Sequence, residues 1–227
     1  MLDKDIREPL FDYIDERYGK VRIFEEKVIL KSRADVLAII EGEIIGFEIK
    51  SDNDTYTRLS RQVRDYDRFC DRCYAVVGES HIHIDEHIPE YWGIIVVNKD
   101  NVIVDREATT SPKIRINNQL DILWRDELYN IQMKEGLPKL SNWRRRDIYK
   151  RLVETAGEPT IKADITEQLF ERDYTRFSKT SPGMKSRISS DKKPKKTSKN
   201  NIKKTSKKYS RSRAAAKKRA HVTNYIG

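Results

Sequence analysis

Nowhere in these 227 residues is there a continuous apolar run of the kind a membrane-spanning helix needs. The opening MLDKDIREPL also lacks the basic-then-apolar order of a secretory signal. A cytoplasmic protein with no membrane partner is therefore expected. Cysteine is scarce: Cys70 and Cys73 are the only two, both in one Cys-Asp-Arg-Cys stretch. Structural zinc normally takes a second pair of ligands, which the chain does not offer in that pattern. A redox role is no better supported, because the pair falls at a helix end rather than where a strand enters a helix. Buried small apolar side chains are expected instead. No internal repeat is visible. Hydrophobic residues make up 37% of the chain, near the low edge for a packed globule, so one core with appendages is expected.

Acid is what the C-terminus lacks. Residues 176–227 hold 18 Lys and Arg against the single acid Asp191, net +17, which leaves −7 for residues 1–175 out of a total of +10. The globule is acidic and its tail cationic, so the overall basic character says nothing about the folded surface. From about residue 179 large apolar side chains almost vanish, and a chain that buries nothing cannot offset the entropy of folding. The predicted organisation is a core over 1–110, a small helical appendage over 111–178 and a disordered Lys/Arg-rich tail over 179–227.

Within the core, Ile6, Leu10, Tyr13 and Ile14 recur at helical spacing over 5–18, with Asp5 and Glu8 as a capping box and Gly19 as the stop. Segments 21–30, 33–40 and 43–49 read as strands, the last two joined at Glu41-Gly42. Asp54 or Thr55 can cap a helix over 56–71. Apolar runs at 74–77 and 92–98, with a short helix near 83–90 between them, read as buried strands in a βαβ pattern, and a last strand falls near 102–106. Helices are predicted over 117–135, 143–155 and 162–175, separated by Gly136-Leu137-Pro138 and Gly157-Glu158-Pro159.

The chemistry lies in Arg33-Ala34-Asp35-Val36 and Phe47-Glu48-Ile49-Lys50. Alternate strand residues share a face, so Glu48 and Lys50 point one way while Phe47 and Ile49 point into the opposite layer. A charged pair on a central apolar strand is costly without partners, and Asp35 on the neighbouring strand is a suitable one. Two carboxylates can hold Mg²⁺ or Mn²⁺ against a phosphodiester, and Lys50 can position water and neutralise developing charge. A structural salt bridge explains any one of these residues alone; the ensemble points to hydrolysis. It resembles the signature of the PD-(D/E)xK nucleases, with Ala34 where that motif has proline. On the next helix Gln62 and Tyr66, four residues apart and so on one face, are similar to the Gln-x-x-x-Tyr motif of RecB-type members. Tyr66 also belongs to the apolar stripe of Leu59, Val63 and Cys70.

The run Arg33-Ala34-Asp35, Gly46 to Asp52, Asp54-Thr55, Arg58-Leu59, Arg61-Gln62, Tyr66, Pro89 and Trp92-Gly93 resembles a Sce-type family of uncharacterised bacterial and phage proteins, over roughly residues 5–98. The resemblance implies a restriction-endonuclease-like α/β fold, a mixed sheet flanked by helices. It implies that Asp35 and Glu48 bind metal, that Lys50 is catalytic, and that Gln62 and Tyr66 support substrate placement. The superfamily often takes a third acid from the first helix. Glu8 is the candidate, although it falls opposite the Ile6, Leu10, Ile14 stripe, and Glu26 is its substitute. His81, His83 and His87 flank Asp85 and Glu86 in what reads as a solvated loop, without an apolar scaffold to fix coordination.

Nucleic-acid contacts are expected from Arg58 and Arg61 beside the motif helix. A second set is Arg144, Arg145 and Arg146, in a segment similar to a SAP helix-loop-helix; the alternative there is a helical hairpin whose Trp143, Ile148 and Leu152 pack on the helix before. Lys192, Lys193, Lys195 and Lys196 in the tail would contact phosphates without reading bases. The expected function is Mg²⁺-dependent hydrolysis of DNA, with a lean toward free ends or single strands and RNA left open. Its rivals are an inactive binding module and a structure-selective resolvase of the same fold.

Overall fold

A computed structural model describes residues 1–81, 83–98, 101–138 and 142–173, all within the unit Met1–Ser190. The tail and its lysines lie outside the described residues.

The architecture is a mixed six-stranded sheet flanked by helices, an α/β fold as the sequence predicts. A first helix, α1 (Asp3–Tyr18), leads into β1 (Arg22–Ile29), β2 (Ser32–Ile40) and β3 (Glu43–Lys50). These three strands form an antiparallel meander. A 3₁₀ turn at Tyr56–Arg58 and α2 (Leu59–Phe69) then carry the chain across to β4 (Arg72–Val77), parallel to β3. Two 3₁₀ turns, Glu79–His81 and Ile84–Glu86, lead to β5 (Gly93–Val97), parallel to β4, and β6 (Val102–Arg106) closes the far edge antiparallel. Spatial order follows sequence order, β1 through β6.

Four helices follow: α3 (Ile116–Asp121), α4 (Arg125–Lys134), α5 (Arg145–Ala156) and α6 (Glu158–Glu171). Leu120, Ile131, Leu152, Ile161 and Ile165 share one apolar cluster with Leu37, Ile39, Ile44, Tyr66 and Val77, so α2 to α6 line one face of the sheet. On the other face Ile6, Leu10 and Ile14 of α1 meet Val36, Phe47, Ile49 and Val76. Buried Asp71 ties the helical face to the central strand, accepting from the Ile44 amide, the Gln119 side chain and the Lys162 ammonium.

Several boundaries differ from expectation, each for a local reason. The N-terminal cap of α1 is the Asp5 carboxylate accepting from the Leu2 amide at 2.9 Å, one turn earlier than the Asp5–Glu8 box expected. Neither Asp54 nor Thr55 caps by its side chain: Asp54 folds back onto the amide and hydroxyl of Ser51, and a 3₁₀ turn precedes α2. The single helix predicted over 117–135 is two, because Glu127 caps the amide of Trp124 and starts α4 afresh. Pro159 does not separate helices but sits in the first turn of α6, where a missing N–H costs nothing, with Gly157 before it at φ +83°. Cys70 and Cys73 are buried free thiols.

Candidate active site

The alternation of β2 predicts a regular ladder, yet the ladder opens at Asp35. Pairs form at Glu25–Val36 and Lys27–Ala34, but Glu26 and Asp35 between them do not pair. Glu26 takes φ +53°, a left-handed conformation that costs a non-glycine residue about 1–2 kcal/mol. Facing reverses across this point: Ala34 joins the same apolar cluster as Leu37 and Ile39, whereas Val36 and Ala38 join the other. On the other side the β2–β3 ladder stops at Val36–Phe47, so Asp35 and Glu48 lie across from each other without backbone pairing.

Side chains take up the backbone groups this opening frees. The Asp35 amide donates to the Tyr66 hydroxyl at 3.0 Å, and that hydroxyl donates to the Phe47 carbonyl at 3.3 Å. The Asp35 carbonyl accepts from Arg7 Nη1 at 3.2 Å, and the Asp35 carboxylate reaches over β3 to accept from the Ile49 amide at 2.8 Å. Gly46 makes the close packing of α2 possible, since a Cβ there would meet Tyr66 Cδ1 at 2.7 Å and Cys70 Sγ at 2.6 Å.

Glu48 and Lys50, on the α2 face of β3, are almost fully buried. Lys50 Nζ donates to Glu48 Oε1 at 2.7 Å and to Gln62 Oε1 at 3.2 Å, while the Gln62 amide nitrogen also donates to Glu48 Oε1. Lys50 and Gln62 thus share one oxygen of Glu48, and the Tyr66 hydroxyl also stabilises the carboxylate. The other oxygen, Oε2, is buried with no hydrogen-bond partner. A buried carboxylate oxygen in that state is costly unless a cation meets it. Burial pushes the Asp35 carboxyl up to about 7, with the charge of Glu48 adding to the rise and the Ile49 amide and Arg7 opposing it. Burial raises Glu48 too, against the pull of Lys50. Two carboxylates that resist ionising side by side, one with an unused oxygen, fit a hard divalent cation, and Mg²⁺ in particular takes one or two carboxylates and keeps several waters.

The five predicted catalytic residues Asp35, Glu48, Lys50, Gln62 and Tyr66 are therefore brought together. Glu8 is not. It is exposed on α1, and among the described residues no three His, Cys, Asp or Glu side chains converge. The helix residue that reaches the site is Arg7, one position earlier, which sequence periodicity alone gave no reason to single out. Arg7 also binds Glu26, and Arg33 binds Glu26 from the other side, so both possible third carboxylates are otherwise placed. Of the histidines, His81 is part of the framework: Nε2 bonds the Ser51 carbonyl and Nδ1 the Tyr56 hydroxyl, each at 2.7 Å, and the Tyr56 ring lies 4.2 Å from that of His87.

Arg58 and Arg61 are exposed, as are Arg144, Arg145 and Arg146. Arg145 is engaged: its guanidinium caps the carbonyls of Leu120 and Leu123 at 3.1 Å and donates to Tyr149 at 2.6 Å. Ile148 and Leu152 are buried in the apolar cluster shared by α2 to α6, whereas Trp143 is 48% exposed. Trp143 instead lines an open groove with Leu137, Pro138, Arg144, Lys150 and Arg151.

A sheet opened at a carboxylate pair beside a buried lysine defines the class of site. The chain itself belongs to the family of bacteriophage P4 protein cII, whose model matches residues 16–192. That span takes in α3 to α6 as well as the sheet, whereas the Sce-type resemblance stops near residue 98. No curated protein sequence matches the chain. Among solved structures it is similar to the SPO1766 protein of unknown function from Silicibacter pomeroyi, at 17% identity and a TM-score of 0.39 over 76% of this chain and 99% of that one. It is also similar to Pyrococcus furiosus SfsA in complex with Ca²⁺, at 16% identity and a TM-score of 0.31 over 51% and 66%.

Proposed function

We propose that this protein is a metal-dependent nuclease of the PD-(D/E)xK type that hydrolyses DNA phosphodiester bonds. The observation that carries the reading is the carboxylate pair at the opened β2–β3 ladder, where Glu48 Oε2 is buried without a partner while Oε1 is held by Lys50 and Gln62. Asp35 and Glu48 would hold Mg²⁺ or Mn²⁺, which when bound polarises the phosphate and lowers the pKa of water. The chain's own groups do the rest. Lys50, fixed by Glu48 and Gln62, presents an ammonium where negative charge develops on the phosphorus oxygens. Gln62 locks the lysine rotamer and leaves α2 with one edge in the site. Tyr66 and Arg7 hold the backbone of Asp35 away from both neighbours, so that its carboxylate stays aimed across β3.

The deciding experiment offers the protein linear duplex, covalently closed circular and single-stranded DNA, each with Mg²⁺, Mn²⁺ or EDTA. Metal-dependent cleavage lost in Asp35→Ala is the expected result. Absence of cleavage on DNA and RNA with either metal, in folded protein, would replace the reading with that of a binding module.

A further inference from the structure

The solvent face of α2 carries arginine and no exposed acid. Arg61, Arg64 and Arg68 follow one another at spacings of three and four, which places them on one helical face, and Arg58 precedes them by one turn. All four are exposed, and none makes an ion pair among the described residues. Both carboxylates of the helix are withdrawn: Asp65 is buried against Ser32, and Asp67 against Trp92 and Tyr91. Past the end of α2, Arg115 continues the row, its amide and the Asn118 side chain both bonded to the Arg68 carbonyl. Arg115 is exposed and unpaired in the same way.

Five exposed guanidinium groups in a row repel one another, and among the described residues no carboxylate forms an ion pair with any of them. Arg7, Arg17, Arg33 and Arg72, by contrast, are each paired with a carboxylate. We infer that Arg58, Arg61, Arg64, Arg68 and Arg115 form a track for the phosphates of a nucleic-acid duplex that runs from the active site along α2. The direction is fixed by Gln62, which sits one residue after Arg61 and points into the Lys50–Glu48 cluster. From Arg58 to Arg68 the helix extends about 15 Å at 1.5 Å per residue. A duplex strand carries one phosphate per about 3.4 Å of axis, so this length spans roughly four phosphates. Guanidinium groups suit phosphate oxygens better than ammonium does. The exposed face of α2 offers no aromatic ring on which a splayed base could stack, which is what a single-strand platform would need.

The inference rests on the reading of the site as one that processes nucleic acid, and its test separates the two. Full-length protein in EDTA is titrated with a labelled 20-base-pair duplex and with a single strand of equal length over a range of salt. The triple variant Arg64→Ala, Arg68→Ala, Arg115→Ala, all exposed positions, is compared with wild type after its melting temperature is shown to be unchanged. The duplex salt slope should fall by about 2 to 3, close to 0.9 per phosphate contact removed, with at least about tenfold weaker binding. The triple lysine variant should restore most of the slope. An unchanged slope, or a loss confined to the single strand, overturns the track. A reduced slope in a protein that cleaves nothing supports the track and rejects the nuclease; cleavage with an unchanged slope does the reverse.

Discussion

The Tyr66 hydroxyl accepts the backbone amide of Asp35 and so takes the place of a strand partner for that residue. Because the same hydroxyl donates to the Phe47 carbonyl, a side chain on α2 closes a gap between two strands that would otherwise pair directly. Tyr66 is fully buried and packs against Trp92, with ring centroids 5.6 Å apart. Tyr66→Phe keeps that packing and removes the hydroxyl that accepts from the Asp35 amide and donates to the Phe47 carbonyl. It should cost about 1–3 kcal/mol, or a melting temperature lower by roughly 2–12 °C, and it should depress cleavage more than duplex binding. Retained stability and retained activity together would show that the ladder opens without the tyrosine.

Substitution of the charged trio separates chemistry from binding. Asp35→Ala, Glu48→Ala and Lys50→Ala should each abolish cleavage, while duplex affinity in EDTA stays near wild type, because the exposed arginines lie elsewhere. Of the three, Lys50→Ala should also lose the most stability: it leaves the Glu48 carboxylate buried without its ammonium partner, held only by neutral donors, the Gln62 amide and the Tyr66 hydroxyl. Thermal melts of all three beside a gel assay with Mn²⁺ check both statements. Wild-type-like cleavage by Asp35→Ala would end the active-site assignment.

The raised carboxyl of Asp35 makes stability depend on pH in a definite direction. Its folded pKa lies near 7 against an ordinary 3.8, so the folded state holds a proton that the unfolded chain has already released. The resulting stabilisation is complete below about pH 4 and is lost as pH rises toward 7. Asp35→Asn, which does not titrate, should therefore gain on wild type progressively over that window and level off above it. At pH 8, Mg²⁺ should raise the melting temperature of wild type and leave Asp35→Asn nearly unmoved. A constant gap between the two proteins from pH 4 to 8 would mean that Asp35 ionises normally.

Much of this site was legible because it obeys short-range rules. The order Phe47-Glu48-Ile49-Lys50 announces two faces of one strand, and the spacing of Gln62 and Tyr66 announces one face of a helix; both readings hold in the fold. The sheet was legible for the same reason, each strand being a period-two or continuous apolar run bounded by turn residues. What stayed hidden depends on contacts between distant segments. Arg7 matters only because α1 crosses beside the opened ladder, and the left-handed Glu26 has no mark in its own sequence. Glu8 is implied as a ligand only by the resemblance to the PD-(D/E)xK nucleases; the buried stripe of Ile6, Leu10 and Ile14 turns it outward. The break between α3 and α4 has no clear mark in the sequence, because Glu127 reads equally well as an interior helix former or as a cap.

The arginine triplet at the start of α5 offers a last distinction among three exposed residues, between one whose guanidinium is bonded to the fold and its two neighbours. Sequence places Arg144, Arg145 and Arg146 in one cluster, but only Arg145 is spent on carbonyls, those of Leu120 and Leu123 at the end of α3. Its guanidinium also bonds Tyr149, which in turn donates to Asp121 at 2.9 Å. Charged donors to buried carbonyls contribute about 1.5–3 kcal/mol. Arg145→Ala should accordingly lower the melting temperature by about 3–12 °C, at a few degrees per kcal/mol for a chain of this size. Arg144→Ala and Arg146→Ala should leave the melt within about 2 °C, as exposed substitutions usually do, and each should lower the duplex salt slope by about one if its guanidinium meets a phosphate. A melt that drops equally for all three would show that the cluster acts as a unit in stability, and the separation of Arg145 from its neighbours would then fall.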